Sequence, residues 1–173
     1  MKKIFMAVVM LSMVSIAAMA SSFKVVEGDK KFFKTSEGKA LLEFVWDVAT
    51  YDGKKPLTDH FRDLSSLEKI GWQWFRDKFN DRCKKVQVVE GTNDVKYKFT
   101  IKVTKMDQYY KVFGFVPGNA TKAWGTLTIT DAASGATLLV VEFKEIDGGA
   151  NPSYDATFGD CFKAIAKQLS NIK

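Results

Sequence analysis

Between Val95 and Thr104 the chain alternates without a break. Val95, Tyr97, Phe99, Ile101 and Val103 take one side; Lys96, Lys98, Thr100, Lys102 and Thr104 take the other. Successive side chains of a strand point to opposite faces. A strand of this kind belongs to an antiparallel sheet with one face on the core and one in water.

The remaining elements arrange themselves around that strand. Phe23, Val25 and Val26 suit a short strand in a charged lead-in, with Phe32-Phe33 a second apolar touch. Leu42 to Ala49 reads as the first clear strand, Leu42, Phe44, Trp46 and Val48 alternating with Glu43 and Asp47. Tyr51 to Pro56 carries loop chemistry. Ser65-Ser66-Leu67-Glu68 matches a capping box, and Leu67, Ile70, Trp74, Phe75, Phe79 and Cys83 then recur at helical spacing. Val86 to Gly91 reads as a strand, and Asp107 to Ala123 is aromatic and ambiguous. Trp124 to Thr130 and Ala136 to Ile146 are expected to form a hairpin, with Gly135 at its left-handed turn position. A second helix follows, with Asn151 as cap, Pro152 at its first position, and Phe158, Phe162, Ile165, Leu169 and Ile172 as its stripe.

The N-terminus fixes a compartment. Lys2 and Lys3 precede an uncharged apolar run from Ile4 to Ala17, and Ala18-Met19-Ala20 supplies the small residues of a cleavage site. Residues 1–20 therefore read as a secretory signal peptide. Ile4 to Ala20 is 17 residues, the lower edge of a bilayer span, so a retained anchor is the rival reading. Cleavage leaves residues 21–173, 153 in all, as a single α+β domain in the periplasm or outside the cell, expected to be a monomer with no stable membrane insertion. Loss of Lys2 and Lys3 takes the formal net charge from +6 to +4. Arg62, Arg76 and Arg82 are the only arginines. Phosphate and base readout favour the guanidinium, so arginine poverty and export together argue against nucleic acid as a partner.

The order is strand, helix, four strands, helix. Each helix has one apolar stripe, so both are expected side by side on one face of a twisted antiparallel sheet. This β-α-β4-α order resembles the TBP-like fold. It also looks like uncharacterised exported proteins of Bacteroidota, some of them built on that fold. The likeness covers about Leu42 to Ile172. It rests on the signal peptide, the element order, Gly71-Trp72-Gln73-Trp74-Phe75 and the hairpin Gly125 to Gly135. DNA binding is not implied, since fold does not carry function. A Bet v1-like helix-grip, with a lipid-sized cavity under a C-terminal helix, is the alternative architecture.

Chemistry is sparsely marked. His60 is the only histidine, and a hydrolase would pair it with Asp59 or Asp63 as general base; the plainer expectation is a surface residue near a helix start. One histidine and two distant cysteines do not make a zinc set, Asp52, Asp59 and Asp63 match no EF-hand loop, and no P-loop or G-x-G-x-x-G is present. No metal, cofactor or catalytic residue is expected. Cys83 and Cys161 fall on different helices, where they either pair in a permissive compartment or remain two buried thiols. Lys96, Lys98 and Lys102 form either a basic face for anionic partners or the solvated side of a sheet. Tyr109, Tyr110, Phe113 and Phe115 are the candidate contact surface for an envelope protein or glycan, against the alternative of an additional strand or a loop folded onto its own core. Trp46, Trp74 and Trp124 are assigned to the core and Trp72 to its margin. The expected function is a non-catalytic exported binding or structural domain; a carrier of a small apolar ligand is second, and a His60 hydrolase third.

Overall fold

In the computed structural model, residues 22–172 are described apart from 62, 92, 114 and 115, and apart from the side chains of 111–113, 116, 117 and 154. The expected signal peptide and Phe115 lie outside the described residues, as does the side chain of Phe113. The described residues form an α+β fold: a large mixed, open sheet of eight strands with four helices.

Strand β1 (Ser22–Gly28) leads through a single-turn helix α1 (Phe32–Thr35) into β2 (Gly38–Val45). Two short strands, β3 (Thr50–Tyr51) and β4 (Lys55–Pro56), and the short helix α2 (Leu57–His60) precede the long helix α3 (Leu64–Arg82). Then come β5 (Val86–Val88), β6 (Val95–Phe113), β7 (Val116–Asp131), β8 (Thr137–Asp147) and α4 (Tyr154–Leu169). The sheet order is β1-β8-β7-β6-β2-β5, with β3 beside β6 and β4 beside β3.

The sheet is not wholly antiparallel as expected. Strand β2 runs parallel to both its neighbours, β5 and β6. The chain leaves β2 through a helix rather than a tight turn, and a helical crossover returns the next strand in the same direction. The first strand also ends earlier than its alternation implied, because Trp46 to Ala49 close a turn, Ala49 N–H donating to Trp46 O at 2.8 Å.

Both long helices lie on one face of the sheet, as their stripes required. Phe79 of α3 meets Phe99 of β6 edge-on at 5.5 Å, and Phe162 of α4 meets Phe44 of β2 at 4.9 Å. Leu42 pairs with Phe99 and Phe44 with Ile101, so these residues share a face. Phe75, Phe79, Phe99, Phe143, Phe158 and Phe162 are fully buried between the layers. The helices run side by side in the same direction: Ile70 and Trp74 lie over Gly159, and Arg82 donates to Ser170 Oγ and Asn171 Oδ1.

The caps differ from the expected ones. Asp63, not Ser65, starts α3, accepting from Ser66 N–H at 3.1 Å. Glu68 accepts instead from Trp46 Nε1 at 2.9 Å and ties the end of β2 to α3. Ser153 caps α4, while Asn151 bridges to Asn119 on β7.

The ambiguous segment Asp107 to Ala123 turns out to be hairpin. Strands β6 and β7 pair from Tyr97–Asp131 to Phe113–Val116, with one register shift. One level of this hairpin is bent. β6 bulges between Val103 and Lys105 opposite Gly125 and Trp124, and β8 bulges at the same level, where Gly125 faces Phe143 and Ala123 faces Ile146. Glu145, in the β8 bulge, has φ +54°. A bulge bends its strand and shifts the alternation by one. Before the bulge Tyr97, Phe99, Ile101 and Val103 are the buried residues of β6; after it Met106 is.

Candidate functional site

The shifted alternation decides where the candidate aromatics point. Gln108 and Tyr110 now follow Met106 onto the helix side of the hairpin, and Asp107 and Tyr109 turn to the other side. Tyr109 is half-buried. Its hydroxyl donates to Asp147 Oδ2, its ring carries Lys122 Nζ at 5.0 Å, and Lys122 reaches Glu145 at 3.2 Å. Burial, then the Asp147 carboxylate, pushes the Tyr109 phenol well above its ordinary range. Tyr110 is 66% exposed. The expected cluster is therefore divided: Tyr109 is tied to Asp147 and Lys122, and Tyr110 is presented to solvent.

Beside Gln108 lies a groove of about 530 Å³, lined by Tyr51, His60, Phe61, Asp63, Ser66, Leu67, Ile70, Gln108 and Asp155. Four parts of the fold meet there: the β3–α2 turn, the start of α3, the start of α4 and the hairpin. Its wall is aromatic. The His60 ring lies flat on Tyr51 at 3.5 Å and 8°, and Phe61 meets His60 edge-on at 4.7 Å. His60 Nε2 sits 3.4 Å from Gln108 Oε1. Thr121 and Thr157, both fully buried, hydrogen-bond at 2.7 Å and hold the hairpin to α4 below the groove.

Among the described residues His60 has no hydrogen bond to Asp59 or Asp63. Asp63 is spent on its own helix, accepting from Ser66 N–H and from the hydroxyls of Ser65 and Ser66. Those bonds, the Ser66 hydroxyl foremost, lower its pKa to about 2. His60 faces an amide, not a carboxylate or hydroxyl. No group of three or more metal-ligating side chains occurs among the described residues.

The other candidates resolve as follows. Lys98 is bridged to Glu43 at 2.6 Å and Lys96 lies over the Tyr97 ring at 5.4 Å. Glu142 and Lys144 form another pair at 3.0 Å. Charge around Lys96 and Lys98 is therefore mixed rather than uniformly basic. Cys83 and Cys161 are separate free thiols, both buried. Cys83 ends α3 beside Arg82, which bonds Ser170 and Asn171, whereas Cys161 is nine residues before Ser170. At 1.5 Å per residue that offset is about 14 Å along the helices, beyond the span of a disulfide. Cys161 donates to Ile146 O at 3.1 Å, and burial raises its pKa strongly. Trp124, assigned to the core, lies on the side away from the helices, half-buried under Lys105 Nζ at 4.5 Å.

Sequence reasoning missed Tyr51, Phe61, Gln108 and Asp155 as groove residues. The signal was faint: Gln108 could be placed only by knowing that the alternation shifts at Thr104.

No family model matches the chain, and no curated protein matches it. Its structural neighbours are PelC-like and DUF330-type proteins. A PelC dodecamer from Paraburkholderia phytofirmans is 12% identical, with 87% of this chain and 97% of that chain covered, at a TM-score of 0.45. Protein XCC0632 from Xanthomonas campestris, of family DUF330, is 13% identical over 82% and 86%, at 0.41. A putative neuraminyllactose-binding hemagglutinin homolog from Helicobacter pylori is 7% identical over 84% and 86%, at 0.39. Likeness at this level carries no function across to this chain. Among the described residues no helix is long and apolar enough to cross a membrane.

Proposed function

We propose that this chain is an exported, non-catalytic binding domain of the bacterial periplasm or cell envelope, and that it contacts an envelope protein or glycan through the groove and the hairpin face beside it. The observation that carries the reading is Tyr110, 66% exposed on the same hairpin side as Gln108, which lines the groove walled by stacked Tyr51 and His60. An aromatic wall with a few convergent polar groups is the usual make-up of a binding cleft, and exposed tyrosine is a common anchor. His60 supports the wall by stacking on Tyr51. Phe44, Phe79, Phe99, Phe158 and Phe162 pack ring against ring between sheet and helices, which favours a binding surface over an internal apolar-ligand site. Of the TBP-like arrangement and its exported Bacteroidota examples, the reading keeps two helices on one sheet face and export.

Site-specific photo-crosslinking in the native cell tests this. A crosslinker at Tyr110 is expected to give a discrete adduct that His60→Ala diminishes, while one at Thr128, on the opposite sheet face, gives none. Equal adducts at both positions, or none at Tyr110, would remove the groove from the reading.

A further inference from the structure

The lane of the sheet outside β2 is only partly filled. β5 pairs with Gly38 to Ala40 and stops. Strand β3 continues along β6 where β2 ends, and β4 occupies the outer lane beside β3. Between β5 and β4, alongside Leu41 to Val45, no strand fills the outer lane among the described residues. That stretch is about 17 Å long at 3.3 Å per residue.

Its main-chain groups are set for a partner. Ala40 C=O accepts from Val89 N–H on the β5 side, at 3.0 Å. Alternate residues of a strand address the same edge, so the N–H and C=O of Leu42 (4% exposed) and of half-buried Phe44 face that lane, while Leu41 and Glu43 face β6. Among the described residues none of these four groups has a hydrogen-bond partner. The adjoining edge of β5 is treated differently: Asn80 of α3 donates to Val88 O and accepts from Val88 N–H, both at 2.8 Å, closing it as a strand would.

The lane also has a roof. Glu68 joins Trp46 at one end, and Arg76 joins Glu90 at the other, at 3.0 Å. Between them a groove of about 460 Å³ runs along α3, lined by Glu68, Lys69, Trp72, Gln73, Arg76 and Glu90. Trp72 stands midway, half-buried, with Arg76 4.8 Å above its ring.

We infer that this lane is a strand-addition site for an extended peptide segment of a partner protein. The segment pairs its main chain with Leu42 and Phe44 and turns an apolar side chain toward Trp72. Open main-chain groups select a β-conformation peptide over a glycan or a helix, since only a second main chain offers donors and acceptors at strand spacing; alternate side chains then supply specificity. The site is distinct from the Tyr110 groove and stands or falls without it.

The test uses the whole protein and a phage-displayed library of linear peptides of about eight residues. Selected peptides are expected to carry apolar residues at alternating positions. On binding they should slow amide hydrogen exchange at Leu42 and Phe44 by at least about tenfold, with little change at Leu41 and Glu43, which are already bonded. Trp72→Ala, on a half-buried surface position, should weaken binding by at least about tenfold and leave the circular dichroism spectrum unchanged. The inference is overturned if no binder emerges, or if binders leave the two amides exchanging as before. It is equally overturned if the free protein already protects those amides, whether through its own chain or, with rising concentration, through a second copy.

Discussion

Gly159 and Gly71 are the residues at which α3 and α4 touch. A Cβ on Gly159 would come within 2.7 Å of the Trp74 ring and 3.0 Å of Ile70, and one on Gly71 within 2.9 Å of Phe162. Gly159→Ala is expected to lower stability by about 1–3 kcal/mol through overpacking, read by urea denaturation. The spacing of apolar residues announced both helices, but not which residues of one would meet the other. Asp63 gives a pH-dependent case. Its carboxyl titrates near 2 when folded against 3.8 for the free group, so its stabilisation is whole above about pH 4 and is lost as pH falls toward 2. The difference in Tm between the wild-type protein and Asp63→Ala should therefore shrink over that interval. A difference that stays constant from pH 5 to pH 2 would show that the carboxylate charge contributes nothing.

The β6–β7 hairpin is the element that positions the groove, and its bend is set by Gly125. A Cβ there would sit 2.2 Å from Lys102 O and 2.8 Å from the Phe143 ring. Backbone cannot yield as a side-chain tip does, so Gly125→Ala should cost about 1–3 kcal/mol or more and disturb Tyr110 and Gln108 beyond the bulge. Chemical-shift changes confined to residues before Val103 would contradict that coupling. The upper half of the hairpin was legible, because Val95 to Val103 keeps one period against one core. The lower half was not. Two bulges at one level break the period, and a bulge is a property of a strand pair rather than of either strand. The same reason hid the parallel course of β2: its alternation was readable, but direction depends on how the crossover helix returns.

At the scale of the molecule, two expectations remain open to direct measurement. Intact-mass analysis of the protein from its native compartment should give a chain beginning at Ser21; one retaining Met1 to Ala20 would overturn export. That mass should not change with reductant. Cys161, fully buried, should resist alkylation at pH 8 until the protein is unfolded, whereas a bridge to Cys83 would block it even then. What the sequence determined by itself was the class of the fold, the two long helices and the sheet face they cover, because burial imposes periods of 3.6 and 2 on any single segment. What the tertiary structure alone decided was everything that requires two segments at once. The bulges chose Tyr110 over Tyr109 for the surface, the offset of parallel helices kept Cys83 from Cys161, and the unequal lengths of β2 and β5 left a lane with unpaired main chain. Each of these depends on registry between elements, which is settled by packing and pairing across space.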